Sequence, residues 1–394
     1  MATAARRHSR TRSFRVAVGS PADDADVRRL LREHPMPGRI SLSFEREPDA
    51  SIAAGLEGDV HQTVVARDLR TGALAGIASR AERAVFVNGA AVRLGYLGQL
   101  RVASGVRRLR SLVDDGFAGL RELHETGGAP AYLVSLVGDN DAARRLLIDR
   151  RSAVGPRFVP AGRLATLVLP ARRAGGRFGY RRAASGPADA GPSGVAVRIA
   201  SAADLRDIVD CLQRNLRRFQ FAPAWDADTL RSPGRMRGLA IGDFVVAERG
   251  GRVVGCAALW DQRAFKQVVV RGYDATLGRW RWLVNAAAPW LGVPRLPPVG
   301  CQLSFAYVSH LAADEAAPDV VASLVSAVRE RARRAGLEYV VAAAPAGHRL
   351  DAAIAALGRH RRYASDLYLV CWPDGDGFVR SVDARPSQPE VAIL

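Results

Sequence analysis

The chain has 394 residues, 48% of them hydrophobic, and a formal charge of +18. That length exceeds one ordinary domain, so two are expected, each with enough apolar content for a packed core. Lys266 is the only lysine among the basic residues, and the charge reads as a solvated arginine-rich surface with a local anion site rather than as a nucleic-acid footprint.

Residues 1–13 are rich in Arg and Ser, lack the apolar core of a secretory signal, and are expected to form a basic tail. Phe14–Val18 reads as a strand. Ser20-Pro21 then opens a helix with Asp23 and Asp24 in its first turn and Arg28, Arg29 and Arg32 toward its end, an order that suits the helix dipole. Pro35 and Pro37 end it. Ser41–Glu47 is ambiguous, and Pro48-Asp49 starts a second short helix through Ala54. Glu45, Glu47, Asp49, Glu57 and Asp59 make this region acidic, either as a solvated face or as a pocket lining. Strands are expected over Thr63–Leu69, Leu74–Ala78 and Ala84–Val87. Asn88-Gly89 then signals a tight hairpin into a long β-type run, Ala91–Val102.

After Val102 comes a loop, then apolar Leu109, Leu112, Val113, Phe117 and Leu120 at helical spacing. The loop therefore opens a helix whose free N–H groups and positive dipole end suit an anion, and Arg101, Arg107, Arg108 and Arg110 crowd the same place. The next strand, Ala131–Val137, is almost continuously apolar, as strands buried between neighbours are. It runs into Gly138-Asp139-Asn140-Asp141 and a further helix beginning at Ala142. Arg157–Pro160 and Leu164–Leu169 are expected to close this first domain, 14–170.

Strand, arginine loop, helix, strand and Asn140-x-x-Ala143 together resemble the acetyl-CoA-binding half of GNAT-superfamily N-acetyltransferases. That family's loop is Gln/Arg-x-x-Gly-x-Gly/Ala, and Arg107-Arg108-Leu109-Arg110-Ser111-Leu112 falls in register with it. Arg110 and Leu112 stand where Gly and Gly/Ala are usual, and Leu147 stands where the family often has a tyrosine general acid. The resemblance implies that the amides of Leu100, Arg101 and Val102 polarise the thioester carbonyl. It also implies that the 107–112 loop holds the pyrophosphate and that Asn140 and Ala143 serve the CoA arm.

Residues 171–194, rich in Gly, Ala, Pro and Arg, read as a linker. A second copy of the pattern fills 195–373. Its strands are expected at Val195–Ile199, Asp243–Glu248, Val253–Trp260, Gln302–Val308, Tyr339–Ala343 and Leu367–Trp372, with a helix over Val320–Ala335. Neither cofactor signal recurs there: acidic Asp314-Glu315 follows the fourth strand, and no Asn-x-x-Ala follows the fifth. The fold class expected is α/β with mixed, mostly antiparallel sheets flanked by helices, as two tandem GNAT-like domains of which the second is degenerate. The segment 374–394 ends on Val391-Ala-Ile-Leu394, an apolar run stiffened by Pro386 and Pro389, and is expected to dock and bring its end toward the first domain's cleft.

Cys211, Cys256, Cys301 and Cys371 are widely spaced and support neither a zinc site nor a disulfide framework, which fits a reducing cytoplasm. Of the histidines, His61 and His124 lie near the proposed site in sequence and read as surface, while His310 and His348 sit at strand ends of the second copy, where they could face a cleft. Trp225, Trp260, Trp280, Trp282 and Trp290 read as core or interdomain packing. No membrane span is expected, because 282–293 is too short and interrupted. The leading function is transfer of an acetyl group from acetyl-CoA to an amine of a small molecule or peptide, with Glu45 as the base. Two alternatives stay open: an aminoacyl-tRNA-dependent peptidyl transferase of the Fem type, which the charge suits, and a non-catalytic acyl-CoA-binding protein.

Overall fold

The computed structural model describes residues 12–149, 155–171, 194–291 and 295–394. The expected N-terminal tail up to residue 11 and the expected linker over 172–193 lie outside the described residues. The first half contains strands β1 (Phe14–Val18), β2 (Ile40–Glu45), β3 (Val60–Asp68), β4 (Leu74–Val87), β5 (Ala90–Val102), β6 (Tyr132–Val137) and β7 (Arg157–Pro170). Its helices are α1 (Asp24–Glu33), α2 (Ala54–Glu57), α3 (Leu109–Glu125) and α4 (Asp141–Leu147). The second half contains β8 (Ala196–Ile199), β9 (Phe244–Arg249), β10 (Arg252–Trp260), β11 (Gln267–Tyr273), β12 (Phe305–Ala313), β13 (Tyr339–Pro345) and β14 (Arg361–Cys371). With them come α5 (Leu205–Leu216), α6 (Ala227–Arg231), α7 (Ala275–Leu291), α8 (Pro318–Arg334), α9 (Arg349–Ala355) and α10 (Asp376–Ser381).

A 12-stranded sheet runs in the order β1-β3-β4-β5-β6-β14-β7-β13-β12-β10-β9-β8, and β2 pairs with β11 in a separate ribbon. Local chemistry sets the first half's meander. Asn88 and Gly89 both take positive φ (53° and 84°), the twist that a two-residue hairpin needs between β4 and β5. Two parallel pairings interrupt the antiparallel pattern, β5 with β6 and β12 with β13, one in each half.

The sequence reading closed each half with its own last strand; the structure exchanges them. β14 lies between β6 and β7, pairing Leu369 with Leu133 on one side and with Val159 on the other. β7, a single strand rather than two segments, pairs through Leu164–Pro170 with β13. Buried Leu164 on one face and Leu167 and Leu169 on the other, and likewise Leu367 and Leu369 against Tyr368 and Val370, give β7 and β14 two apolar faces each, so both are stabilised at the centre of the sheet. The main core cluster follows the exchange, joining Leu167 and Leu169 of β7 to Val325 and Val328 of α8 and to Val340 of β13.

Candidate functional site

β5 and β6 pair at Gly95↔Tyr132, Tyr96↔Leu133 and Leu97↔Val134 and no further. Both strands continue past that vertex, to Val102 and Val137, so the sheet opens into a V. The β4–β5 register jumps there: Ser79 faces Gly98 and Ile77 faces Arg101, leaving Gln99 and Leu100 opposite one residue. This is a β-bulge, which re-aims backbone amides. Gln99 holds it in the left-handed region (φ 52°), an arrangement unfavourable for a residue with a Cβ. Its side chain is anchored in return, Nε2 donating to Glu57 Oε1 at 3.0 Å.

The open end of the V meets two helix N-termini. α3 starts at Leu109 with Arg108 at its N-cap position, whose side chain makes no cap hydrogen bond. Arg107, Arg108 and Arg110 are exposed around it. Arg108 reaches Ser13 Oγ at 3.3 Å. Arg101 bonds the Leu100 carbonyl at 2.8 Å and stacks 5.8 Å over Phe44, and burial lowers its pKa from the ordinary value. Leu112 is buried in the core with Phe14 and Ala66, so its side chain anchors α3. α4 follows β6, and Asn140 is its N-cap: Ala143 N donates to Asn140 Oδ1 at 3.1 Å. The Asn-x-x-Ala spacing thus serves a helix cap, leaving the Asn140 amide group at the mouth of the V.

Behind the bulge lies a buried charged cluster drawn from both halves. Glu57, 1% exposed, receives Arg46 at 3.1 Å and Gln99 at 3.0 Å and lies 3.3 Å from His61. Burial alone would raise its pKa, but the His61 contact and the charges of Arg46 and Lys266 hold it down at about 2. It is a fixed counter-charge. Lys266, buried and repelled by Arg46, is pushed down to about 7, and its Nζ donates to the Ala392 carbonyl at 2.9 Å. Arg83, lowered to about 10 by burial, bonds the Glu57 and Ile393 carbonyls at 2.7 and 2.9 Å and lies 5.1 Å over the Tyr96 ring. Such clustering of perturbed groups marks a candidate site.

The carbonyls that Lys266 and Arg83 hold belong to the C-terminal segment, which is threaded into the molecule. Ala392 and Ile393 are both 0% exposed. The segment enters beside Gln220, whose amide donates to Pro386 O and whose carbonyl accepts from Gln388 N, each at 2.9 Å. It then fills the second half's own V. β12 and β13 pair from Phe305↔Tyr339 to Tyr307↔Val341 and diverge. β12 carries a matching bulge at His310 (φ 52°), between Ser309 and Ala312. There the His310 amide donates to Glu390 Oε2 at 2.9 Å, and Gln388 Nε2 donates to Ala343 O across the opening at 3.2 Å. His310 itself is wholly buried against Trp225 and Phe244, and burial lowers its pKa to about 3.

Glu45, expected as the base, is buried at the end of β2. It accepts from Ser43 and Arg271 and lies 3.7 Å from Arg32. Its neighbour Arg46 points the other way, to Glu57, as alternation along an extended chain requires. The other acidic residues of this stretch are also engaged: Glu47 by Arg28 and Arg32, Asp59 by Arg235 at 3.0 Å, Asp49 as a cap for Ser51. The structure therefore brings Leu100–Val102, the 107–112 loop and Asn140 to one opening, and sets Glu45 in an ion-pair network on the β2–β11 ribbon. Sequence reasoning missed Arg46, Gln99, Arg83 and Lys266. The signal for the last was present in its being the one lysine of the chain.

No family model matches the chain, and no curated protein matches it in sequence. Solved structures do match in fold. Saccharomyces cerevisiae N-myristoyltransferase with bound myristoyl-CoA is 13% identical, covering 91% of this chain and 82% of that one with a TM-score of 0.55. A second structure of that enzyme with myristoyl-CoA is 14% identical over 95% of this chain and 82% of its own, also at 0.55. The GCN5-related glucosamine N-acetyltransferase region of a fungal multi-domain GH3 β-N-acetylglucosaminidase is 14% identical, over 92% of this chain and 38% of that one, at 0.54. The fold is that of the GNAT-type transferases, with two GNAT-like halves.

Proposed function

We propose that the protein is an acyltransferase that moves an acetyl group from acetyl-CoA to an amine, with CoA received by the first half. The observation that carries this reading is the bulged V of β5 and β6 opening onto the arginine-flanked N-terminus of α3. Amides and a positive dipole end suit the pyrophosphate, with Arg107, Arg108 and Arg110 adding charge. The bulge amides at Leu100–Val102 suit the oxyanion that forms when the amine attacks the thioester carbon. CoA then leaves as its thiol. Asn140 borders the entry of the CoA arm.

A short acyl group fits the vertex better than a long one. On one face Leu97 and Val134 pack with Tyr132, Leu120 and Tyr368, and on the other Tyr96 and Leu133 pack with Leu164 and Phe221, so bulky side chains close both sides. We assign the amine's proton to Glu45, directly or through water, with Arg271 and Arg32 holding that carboxylate in place. Lys266 is a second acceptor, because its depressed pKa leaves much of it neutral near pH 7. Thiol release from acetyl-, octanoyl- and myristoyl-CoA in the presence of an amine panel tests the reading. Turnover with acetyl-CoA is expected to be fastest. No thiol release with any pair, or release with myristoyl-CoA alone, would overturn it. Glu45→Gln and Lys266→Met separate the two bases, since the true one should remove the acid limb of the pH profile while CoA affinity stays.

A further inference from the structure

Among the described residues, four large exposed apolar side chains fall on a single helix. Trp280, Trp282, Leu283 and Trp290 are 50, 66, 39 and 91% exposed, and all belong to α7. Trp280, Leu283 and Trp290 recur at i, i+3 and i+10, which places them on one helical stripe, with Trp282 on its flank. The opposite face is already engaged. Asn285 both accepts from Leu296 N (2.6 Å) and donates to Leu296 O (3.0 Å), Arg281 donates to Pro297 O at 2.8 Å, and Ala288 is fully buried. The helix is thus fixed with its indoles outward. The sequence reading had placed these tryptophans in a core or between domains; the fastening of the other face excludes that.

Charge identifies what the stripe fits. Residues 275–300 contain no Asp or Glu and three arginines, Arg279, Arg281 and Arg295, of which Arg279 and Arg295 are exposed. We propose that α7 is a docking face for an anionic phospholipid bilayer, with the indoles at headgroup depth and the arginines at lipid phosphates. Tryptophan prefers that boundary because its ring is apolar and its N–H is polar. Among the described residues no helix is long and apolar enough to cross a membrane, so the attachment is peripheral. A second copy is the poorer occupant. A two-fold contact would set the patch against itself, opposing Arg279 and Arg295 of both chains with no carboxylate from 275–300 to pair them.

Co-sedimentation with sucrose-loaded vesicles tests this, comparing phosphatidylcholine alone with a mixture containing about one-third phosphatidylglycerol. The full chain should bind the anionic vesicles, weaken in high salt, and bind neutral vesicles at least about tenfold less. Trp280→Ser/Trp282→Ser/Trp290→Ser should lose binding by at least about tenfold. Arg279→Glu/Arg295→Glu, a surface change that leaves the helix packing alone, should do the same while keeping the wild-type melt. Failure of the wild type to sediment with anionic vesicles, equal binding to neutral ones, or full binding by either variant would overturn the proposal. So would a concentration-dependent dimer in sedimentation velocity that the tryptophan variant abolishes.

Discussion

Glu390→Gln isolates the contact by which the C-terminal segment closes the second V. Glu390 is half-buried as a residue, and desolvation of its carboxyl raises its pKa to about 7, against which the His310 and Ala392 amides and the charge of Arg83 work only in part. A carboxyl whose folded pKa lies above its unfolded value adds stability that is fully present below the unfolded pKa, 4.5, and is lost as pH rises through about 7. At about 1.4 kcal/mol per pH unit, the interval between those values corresponds to roughly 3 kcal/mol lost by alkaline pH. Glutamine stays neutral and keeps an oxygen for the His310 amide, so it removes that dependence. Melting curves of both proteins from pH 4.5 to 8.5 should coincide near the acid end and separate above pH 7, the variant melting a few degrees higher at pH 8. Lys266 titrates in both proteins and cancels in the difference. A gap between the curves that stays constant with pH would refute the reasoning.

Glu57→Gln should destabilise by on the order of 3–5 kcal/mol, because it removes the carboxylate shared by Arg46, His61 and Lys266 and leaves buried cations uncompensated; chemical denaturation measures it. A fragment of residues 12–171 should fail to unfold cooperatively, since β14 separates β6 from β7 and its absence bares both edges; a single sharp calorimetric transition for that fragment would contradict this. Gly95→Ala should cost on the order of 1–3 kcal/mol, because a Cβ there overlaps the fully buried Tyr132 ring; a melting temperature equal to wild type would show that the ring moves freely.

What was legible in the sequence was local. Asn88-Gly89 fixed its hairpin through the backbone preference of those two residues, and the strand–loop–helix order from Ala91 to Leu120 placed the V and the α3 N-terminus together. Prolines and a closing apolar run pointed to a docked C-terminal segment; in the structure Ala392 and Ile393 are interior. The exchange of β7 and β14 was not legible, because both strands are apolar on two faces and suit any central position; partner choice there rests on tertiary packing. The cluster around Glu57 was hidden for a related reason. Arg46, Gln99 and Lys266 are distant in sequence and meet through the bulge in β5 and the β2–β11 pairing. Glu45 stood out because it is acidic in a basic chain, yet that same scarcity supplies Arg271 and Arg32 as partners. The α7 tryptophans looked like core by residue type alone. Only their placement opposite Asn285 and Ala288 shows that they face outward.

The central claim is that CoA is held by the first half's V and that the second is closed by the chain itself. Calorimetric titration of the full chain with acetyl-CoA tests both parts at once. One site per chain is expected, and Arg107→Glu, which sets repulsion against phosphate at the α3 N-terminus, should weaken it at least about tenfold. Two sites per chain, or one site whose affinity Arg107→Glu leaves unchanged, would contradict the account.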